Sequence, residues 1–241
     1  RPPRADGAAR RLGGGGCVMP CARTDFGQHP KRQDPNTMPK AYQLRIALRD
    51  FKPAIYRDVL VSPATPLPKL HKLIQAAMSG DNAHMYGFAL PKKNERYYSV
   101  PAENRFDIPD PLDLLNSTNH ETDFKLNDLL KAPKDKLLYL YDFGDDWEHI
   151  ITLQAIVETE SALPHLLQAE QGCPPEDCGG PSGAVYWASV WHDKAHEEHD
   201  IALDMFGRHE PGWLDVAALQ KAVQKLQLKP RKKSISTPKE T

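Results

Sequence analysis

Residues 139–149 read YLYDFGDDWEH. This short run holds Asp142, Asp145, Asp146, Glu148 and His149, with Trp147, Tyr139, Tyr141 and Phe143 among them. Carboxylates and an imidazole at this density suit two chemistries. They can ligate a hard or borderline metal ion, or work as acid and base on a bound substrate. The plain alternative is that Asp and Gly shape a tight turn while the aromatics pack beneath it. Asp142 and His149 flank the turn at positions that can face each other across two strands.

Residues 173–183 read CPPEDCGGPSG. A C-x4-C spacing can place two thiolates on one soft cation, which is half of a zinc site. His149, His165 or His192 would have to complete it. Pro174 and Pro175 stiffen the segment, and Glu176 and Asp177 add carboxylates. No second Cys pair lies in the body of the chain; Cys17 and Cys21 sit in a Gly- and Pro-rich head. The favoured reading is therefore a structural connector that packs residues 173–183 against the hairpin. The two would form a groove rimmed by Asp142, Asp145, Asp146, Trp147, His149, Glu176 and Asp177. No cofactor is expected on that reading. Zinc held by Cys173, Cys178 and His149 is the alternative.

His192, His196 and His199 have helical spacing and can share one face. The H-E-x-x-H order of zinc proteases is absent, so a solvated, charged helix end is the better reading. Nor is there a G-x-S-x-G elbow, a phosphate-binding glycine loop, a kinase set or a dinucleotide fingerprint.

The elements that must position these groups follow from periodicity. Tyr42, Leu44, Ile46 and Leu48 alternate with polar or small residues, the period of a half-buried strand. Residues 55–61 predict a second strand, with Ile55, Arg57, Val59 and Val61 on one side. Leu67, Leu70, Leu73, Ile74, Ala77 and Met78 then take helical spacing, with Thr65 as N-cap and residues 79–82 as the stop. Residues 84–90 and 96–100 predict two short strands, and 101–120 a loop. Residues 125–130 predict one or two helical turns. Residues 137–143 and 148–157 predict a hairpin in which Gly144 takes positive φ. Residues 158–182 look irregular. Residues 183–199 and 214–228 predict helices, with a short amphipathic piece at 200–206 between them. Strands come first and helices last, which predicts an α+β fold: an antiparallel-rich sheet, an early β-β-α unit and a helical C-terminal part.

Charge divides the chain. Residues 1–40 carry eight Arg and Lys against three Asp, a net +5; residues 229–241 carry five against one Glu, a net +4. With -1 overall, residues 41–228 hold about -10. Segments 1–40 and 229–241 have few large apolar residues and are expected to be disordered basic extensions of a 41–228 domain. Met38 is a candidate biological start. An acidic body repels phosphate, so nucleic acid is expected at the basic termini alone. No apolar run reaches the ~18 residues of a membrane span, and no secretory core follows the leading arginines. The expected setting is cytoplasmic, with reduced thiols.

Residues 70–75 (LHKLIQ), 84–88 (HMYGF), 141–149 (YDFGDDWEH) and 173–183 together resemble the Ri-plasmid ORF-three-like family, also met as the passenger ("TnpR-type") protein of an insertion element. The resemblance runs from about residue 42 to 228. Ser79-Gly80 stand where that family often shows Gly-Trp, and residues 206–211 (FGRHEP) replace its acidic Gly-Asp-Phe-Asp-Pro stretch. The resemblance implies a mobile-element context and no reaction. A recombinase is disfavoured, because neither the dense arginine set of the serine enzymes nor the Arg-His-Arg-Tyr set of the tyrosine enzymes is discernible. The functional expectation is a binding or interaction module for an unknown protein or small ligand. The alternatives are a metal-dependent hydrolase and a nucleic-acid-associated protein.

Overall fold

The computed structural model describes residues 38–108 and 119–227. The basic head with Cys17 and Cys21, and the basic tail, lie outside the described residues.

Strand β1 (Lys40–Leu48) buries Tyr42, Leu44, Ile46 and Leu48 and turns Gln43 and Arg45 to the other face. β2 (Tyr56–Val61) is buried on both faces, which is why its alternation is blurred. On the core face Arg57 is fully buried. On the other, Asp58 takes a two-pronged bond from Arg45, at 2.8 and 2.7 Å. Helix α1 (Leu67–Met78) follows with the expected buried stripe. Its N-cap is Pro66 rather than Thr65, with no side-chain cap. The Leu67 N–H instead donates to the Phe124 carbonyl at 3.1 Å, so a tertiary bond replaces the local one. Ser79 ends the helix in the left-handed region (φ 63°).

β3 (Tyr86–Ala89) is shorter than expected. The strand expected at 96–100 is a single 3-10 turn, Tyr97–Ser99. Tyr97 plugs a small core on the far face of the sheet with Ala89, Val100, Leu138 and Leu140. Two strands lie where a loop was expected: β4 (Arg105–Asp107) and β5 (Asn119–His120). One helical turn, α2 (Leu126–Leu129), precedes the hairpin of β6 (Lys136–Tyr141) and β7 (Trp147–Glu158). β8 (His165–Glu170) is a further strand in the stretch that looked irregular. Then come α3 (Gly180–His192), α4 (His199–Met205) and α5 (Val216–Lys225). Because α3 stops at His192, the three imidazoles at 192, 196 and 199 do not share a helix.

The strands form one sheet, ordered β5-β4-β3-β6-β7-β1-β2-β8. Every neighbour is antiparallel except β4 with β5. The fold is α+β. The main core joins the inward residues of β1, β2, β6 and β7 to the stripes of α1 and α5, which cover that face. The β6–β7 hairpin thus stands mid-sheet, with its turn beside the C-terminal end of α1.

Candidate functional site

The hairpin turn is built by aspartates. Asp142 and Asp146 take positive φ (59° and 57°), and Gly144 is not among the positive-φ residues. Asp142 Oδ1 accepts the Gly144 and Asp145 N–H groups at 2.9 and 3.4 Å. The Asp146 N–H closes the turn on the Asp142 carbonyl at 2.8 Å. An Asp side chain that satisfies the next amides tolerates the left-handed region. The expectation that Gly144 supplies this freedom is therefore corrected.

The ladder pairs His149 with Tyr139, not with Asp142. His149 is buried and its Nδ1 bonds the Trp147 carbonyl at 2.9 Å, so that nitrogen carries the proton. Burial lowers its pKa to about 4, outweighing the backbone hydrogen bonds. Asp142 lies beyond the strand end and reaches His84 instead, with Oδ2 3.6 Å from Nδ1.

The cysteine segment lies against this turn. Gly180 has φ 67°, and a Cβ there would run into the Asp145 carbonyl oxygen. Only glycine permits so close an approach of the two backbones. The Tyr141 hydroxyl donates to Glu176 Oε2 at 3.1 Å and accepts the Ala83 N–H at 3.0 Å. Glu176 Oε1 accepts the Asp81 N–H at 2.8 Å. One carboxylate thus ties the hairpin to the α1–β3 connection. His84 Nε2 is 3.2 Å from Asp177 Oδ1 and 3.9 Å from Glu176 Oε2. Ligand atoms of His84, Asp142 and Asp177 lie within 4.8 Å of one another, close enough for a shared cation.

The two thiols turn elsewhere. Cys173 Sγ is 3.6 Å from Arg57 Nη2 and 3.7 Å from Met78 Sδ. Burial raises its pKa and the Arg57 charge pulls the other way. The Cys178 thiol is pushed up to about 11, first by burial and then by Asp145, and bonds back to the Gly180 carbonyl at 3.9 Å. Both are free. Among the described residues, Cys173, Cys178 and His149 form no group of ligand atoms like that at His84. His165 and His192 do not complete one either.

A groove of about 650 Å³ opens beside these segments. The hairpin contributes Tyr141, Trp147 and His149, the connector residues 172–177, and α1 its last turns. The remaining wall comes from residues 205–219, including Met205, Phe206, His209 and Trp213. Of the residues singled out in the sequence, Trp147, His149, Cys173, Glu176 and Asp177 line it. Asp142, Asp145, Asp146 and Cys178 stand outside the lining. His84 and Trp213 were missed. The partners of His84 come from sequence positions 142 and 176–177, so no local spacing announces it.

A second polar cluster lies beneath, in the core. His71 bonds Asn82 Oδ1 through Nε2, and its Nδ1 accepts the Tyr139 hydroxyl at 2.8 Å. Gln75 donates to that hydroxyl at 3.0 Å, and the His71 ring stacks on Tyr86 at 3.5 Å. Burial lowers the His71 pKa to about 4.

A family model of plasmid pRiA4b ORF-3-like proteins matches residues 40–219, most of the chain and all of the site. The chain belongs to this family. A plasmid pRiA4b ORF-3-like relationship fits the curated relative "Uncharacterized protein y4hQ" of Sinorhizobium fredii (strain NBRC 101917 / NGR234). It is 34% identical over 196 residues, 78% of this chain and 92% of that protein. The crystal structure of "Protein of Unknown Function MM3350 from Methanosarcina mazei Go1" matches with a TM-score of 0.63 at 25% identity. It covers 78% of this chain and 99% of that one. The chain thus shares its fold with that structure, and these relatives bring no named activity. Among the described residues no helix is long and apolar enough to cross a membrane.

Proposed function

We propose that the protein is a binding module that seats its ligand in the groove between the β6–β7 hairpin and residues 172–177. The observation that carries this reading is a cavity of about 650 Å³ whose walls come from five separate chain segments. That volume lies within the ~300–1,000 Å³ of ligand sites. Its walls are held in place by the Tyr141–Glu176 bond and the Gly180–Asp145 apposition. The titratable groups in and behind the wall favour binding over acid–base or thiol chemistry. His149 is held neutral, with one nitrogen spent on a carbonyl. Burial raises the Cys173 thiol away from the reactive thiolate.

The test is a thermal-shift and tryptophan-fluorescence screen of peptides and metabolites, followed by Trp213→Ala. Ligands that bind this groove should raise Tm in the native protein and lose about tenfold or more in affinity in the variant. Ligand-induced NMR shifts confined to another face would overturn the reading.

The His84, Asp142 and Asp177 cluster favours a second reading, a divalent cation at the turn with hydrolytic chemistry beside it. Metal analysis after incubation with zinc or manganese tests it. A stoichiometric ion, lost in both His84→Ala and Asp142→Asn, would move this reading ahead of the first.

A further inference from the structure

We propose that the groove selects a basic peptide segment of a protein partner: Lys or Arg side chains at a carboxylate rim, and an apolar side chain on the aromatic wall. This rests on the binding reading above and adds the class of ligand. The first support is charge. Asp81, Glu176, Asp177, Glu210 and Asp215 line the groove, and no Lys or Arg does so among the described residues. The nearby guanidinium of Arg57 is fully buried and spent on the carbonyls of Tyr56, Ala77, Glu170 and Gln171. Asp215 caps α5 by accepting the Ala218 N–H, and Glu176 accepts from Tyr141 and the Asp81 N–H, but no cationic side chain in the lining offsets the charge of the rim, and an incoming Lys or Arg would.

The second support is the wall. Trp213 is 54% exposed and stacks flat on His209, with centroids 3.8 Å apart and planes 9° from parallel. This is a preformed platform for an alkyl chain or for a cation over a ring face. Met78, Met205 and Phe206 continue it with adaptable apolar surface.

The third support is an unpaired donor. Trp147 lines the groove, is 5% exposed, and its indole N–H has no acceptor among the described residues. Leaving a buried donor without an acceptor is unfavourable. The indole nitrogen itself is covered, so a peptide carbonyl would reach it only after a small shift of the groove wall. A small polyamine offers cations and methylenes but no carbonyl acceptor, and a nucleic acid offers the wrong charge. A basic peptide meets all three demands at once.

The experiment uses the full chain and three fluorescein-labelled hexapeptides. They share two Leu residues and carry Lys, Gln or Glu at the remaining positions. The Lys peptide should bind at least ~10-fold tighter than the Gln peptide, and the Glu peptide weakest. The preference should shrink as salt rises. Asp81 and Glu210 are exposed, so Asp81→Lys with Glu210→Lys should fold normally and abolish the preference. Binding of all three peptides alike, lost in Trp213→Ala, would overturn charge selection and leave the binding reading standing. Spermidine competing as tightly as the Lys peptide would replace the peptide with a small cation. A copy of residues 228–241 outcompeting the Lys peptide would make this chain's own tail the occupant in place of a partner. If no peptide, cation or metabolite seats in the groove, the binding reading itself falls.

Discussion

Two polar regions lie close together in this molecule and are built on opposite terms. In the core, each donor and acceptor of Arg57, His71 and His149 that the structure shows engaged meets a fixed partner away from water. Arg57 donates to four backbone carbonyls and the Cys173 thiol; His71 sits between Asn82 and Tyr139. At the rim, His84 faces Asp142, Glu176 and Asp177 at 3.2–3.9 Å, loosely and partly in solvent. Saturated polar groups fix one structure, because any change strands a buried partner. Unsaturated ones keep capacity for something that is not yet there. The imidazole type is the same in both places, and its surroundings decide its role.

The largest effect expected from this contrast is acid destabilisation. The folded pKa values of His71 and His149, both about 4, lie below the ordinary 6.5. As pH falls from 6.5 toward 4, the unfolded chain takes up protons that the folded chain refuses. Stability is therefore lost in that window, by roughly 2–3 kcal/mol per histidine. Glu121, whose carboxyl burial pushes upward, works in the opposite direction and blunts the slope. Urea melts at pH 7 and pH 4.5 measure the sum. His71→Gln should remove about half of the histidine contribution to the slope. A flat profile would mean that the two rings are not held neutral.

Next comes Arg57→Leu. It strands the carbonyls of Tyr56, Ala77, Glu170 and Gln171 and leaves a gap between β2, α1 and the end of β8. The loss should be about 3 kcal/mol or more in chemical denaturation. Tyr139→Phe is smaller. It removes the hydroxyl shared by His71 and Gln75 but fills nearly the same space, for roughly 1–3 kcal/mol. The matched rim variant, His84→Ala, should cost within about 1 kcal/mol, because its pairings are long and partly in solvent. Equal costs for Tyr139→Phe and His84→Ala would erase the distinction between the two regions.

The sequence discloses these regions unequally. β1 and residues 149–154 of β7 read cleanly because one face of each is buried and the other is more exposed, so alternation survives. β4, β5 and β8 are too short or too marginal for a period to emerge, and tertiary pairing alone makes them strands. The α+β order follows from local pattern. Phase puts Arg57 on the same side of its strand as Ile55, Val59 and Val61, although nothing local shows that the side is buried or that backbone carbonyls would cradle it. His149 reads as a reactive group by its neighbours in sequence, yet its neighbours in space are Tyr139 and the Trp147 carbonyl. The rim at His84 depends on three segments that meet only after the sheet has formed. In the Asp142–Asp146 stretch (DFGDD), composition announces a turn without saying which residue carries the unusual φ.

That last point gives another small expected effect. The sequence pattern made Gly144 the residue that turn geometry depends on. In the structure the left-handed φ values belong to Asp142 and Asp146, and Gly144 is exposed. A Cβ on Gly144 would meet only Asp142 Oδ1, at 3.3 Å, and a shift of a few tenths of an ångström relieves that contact. Replacing Gly also narrows the unfolded ensemble, which offsets part of the crowding. Gly144→Ala should thus stay within about 1 kcal/mol of the native protein in thermal or chemical melts. Gly180→Ala, by contrast, meets both a positive φ and the Asp145 backbone carbonyl, so it should cost more and loosen the contact between hairpin and connector. If the two variants cost the same, the hairpin turn and the cysteine segment are not held together by that glycine, and the fixed wall of the groove loses one of its two supports.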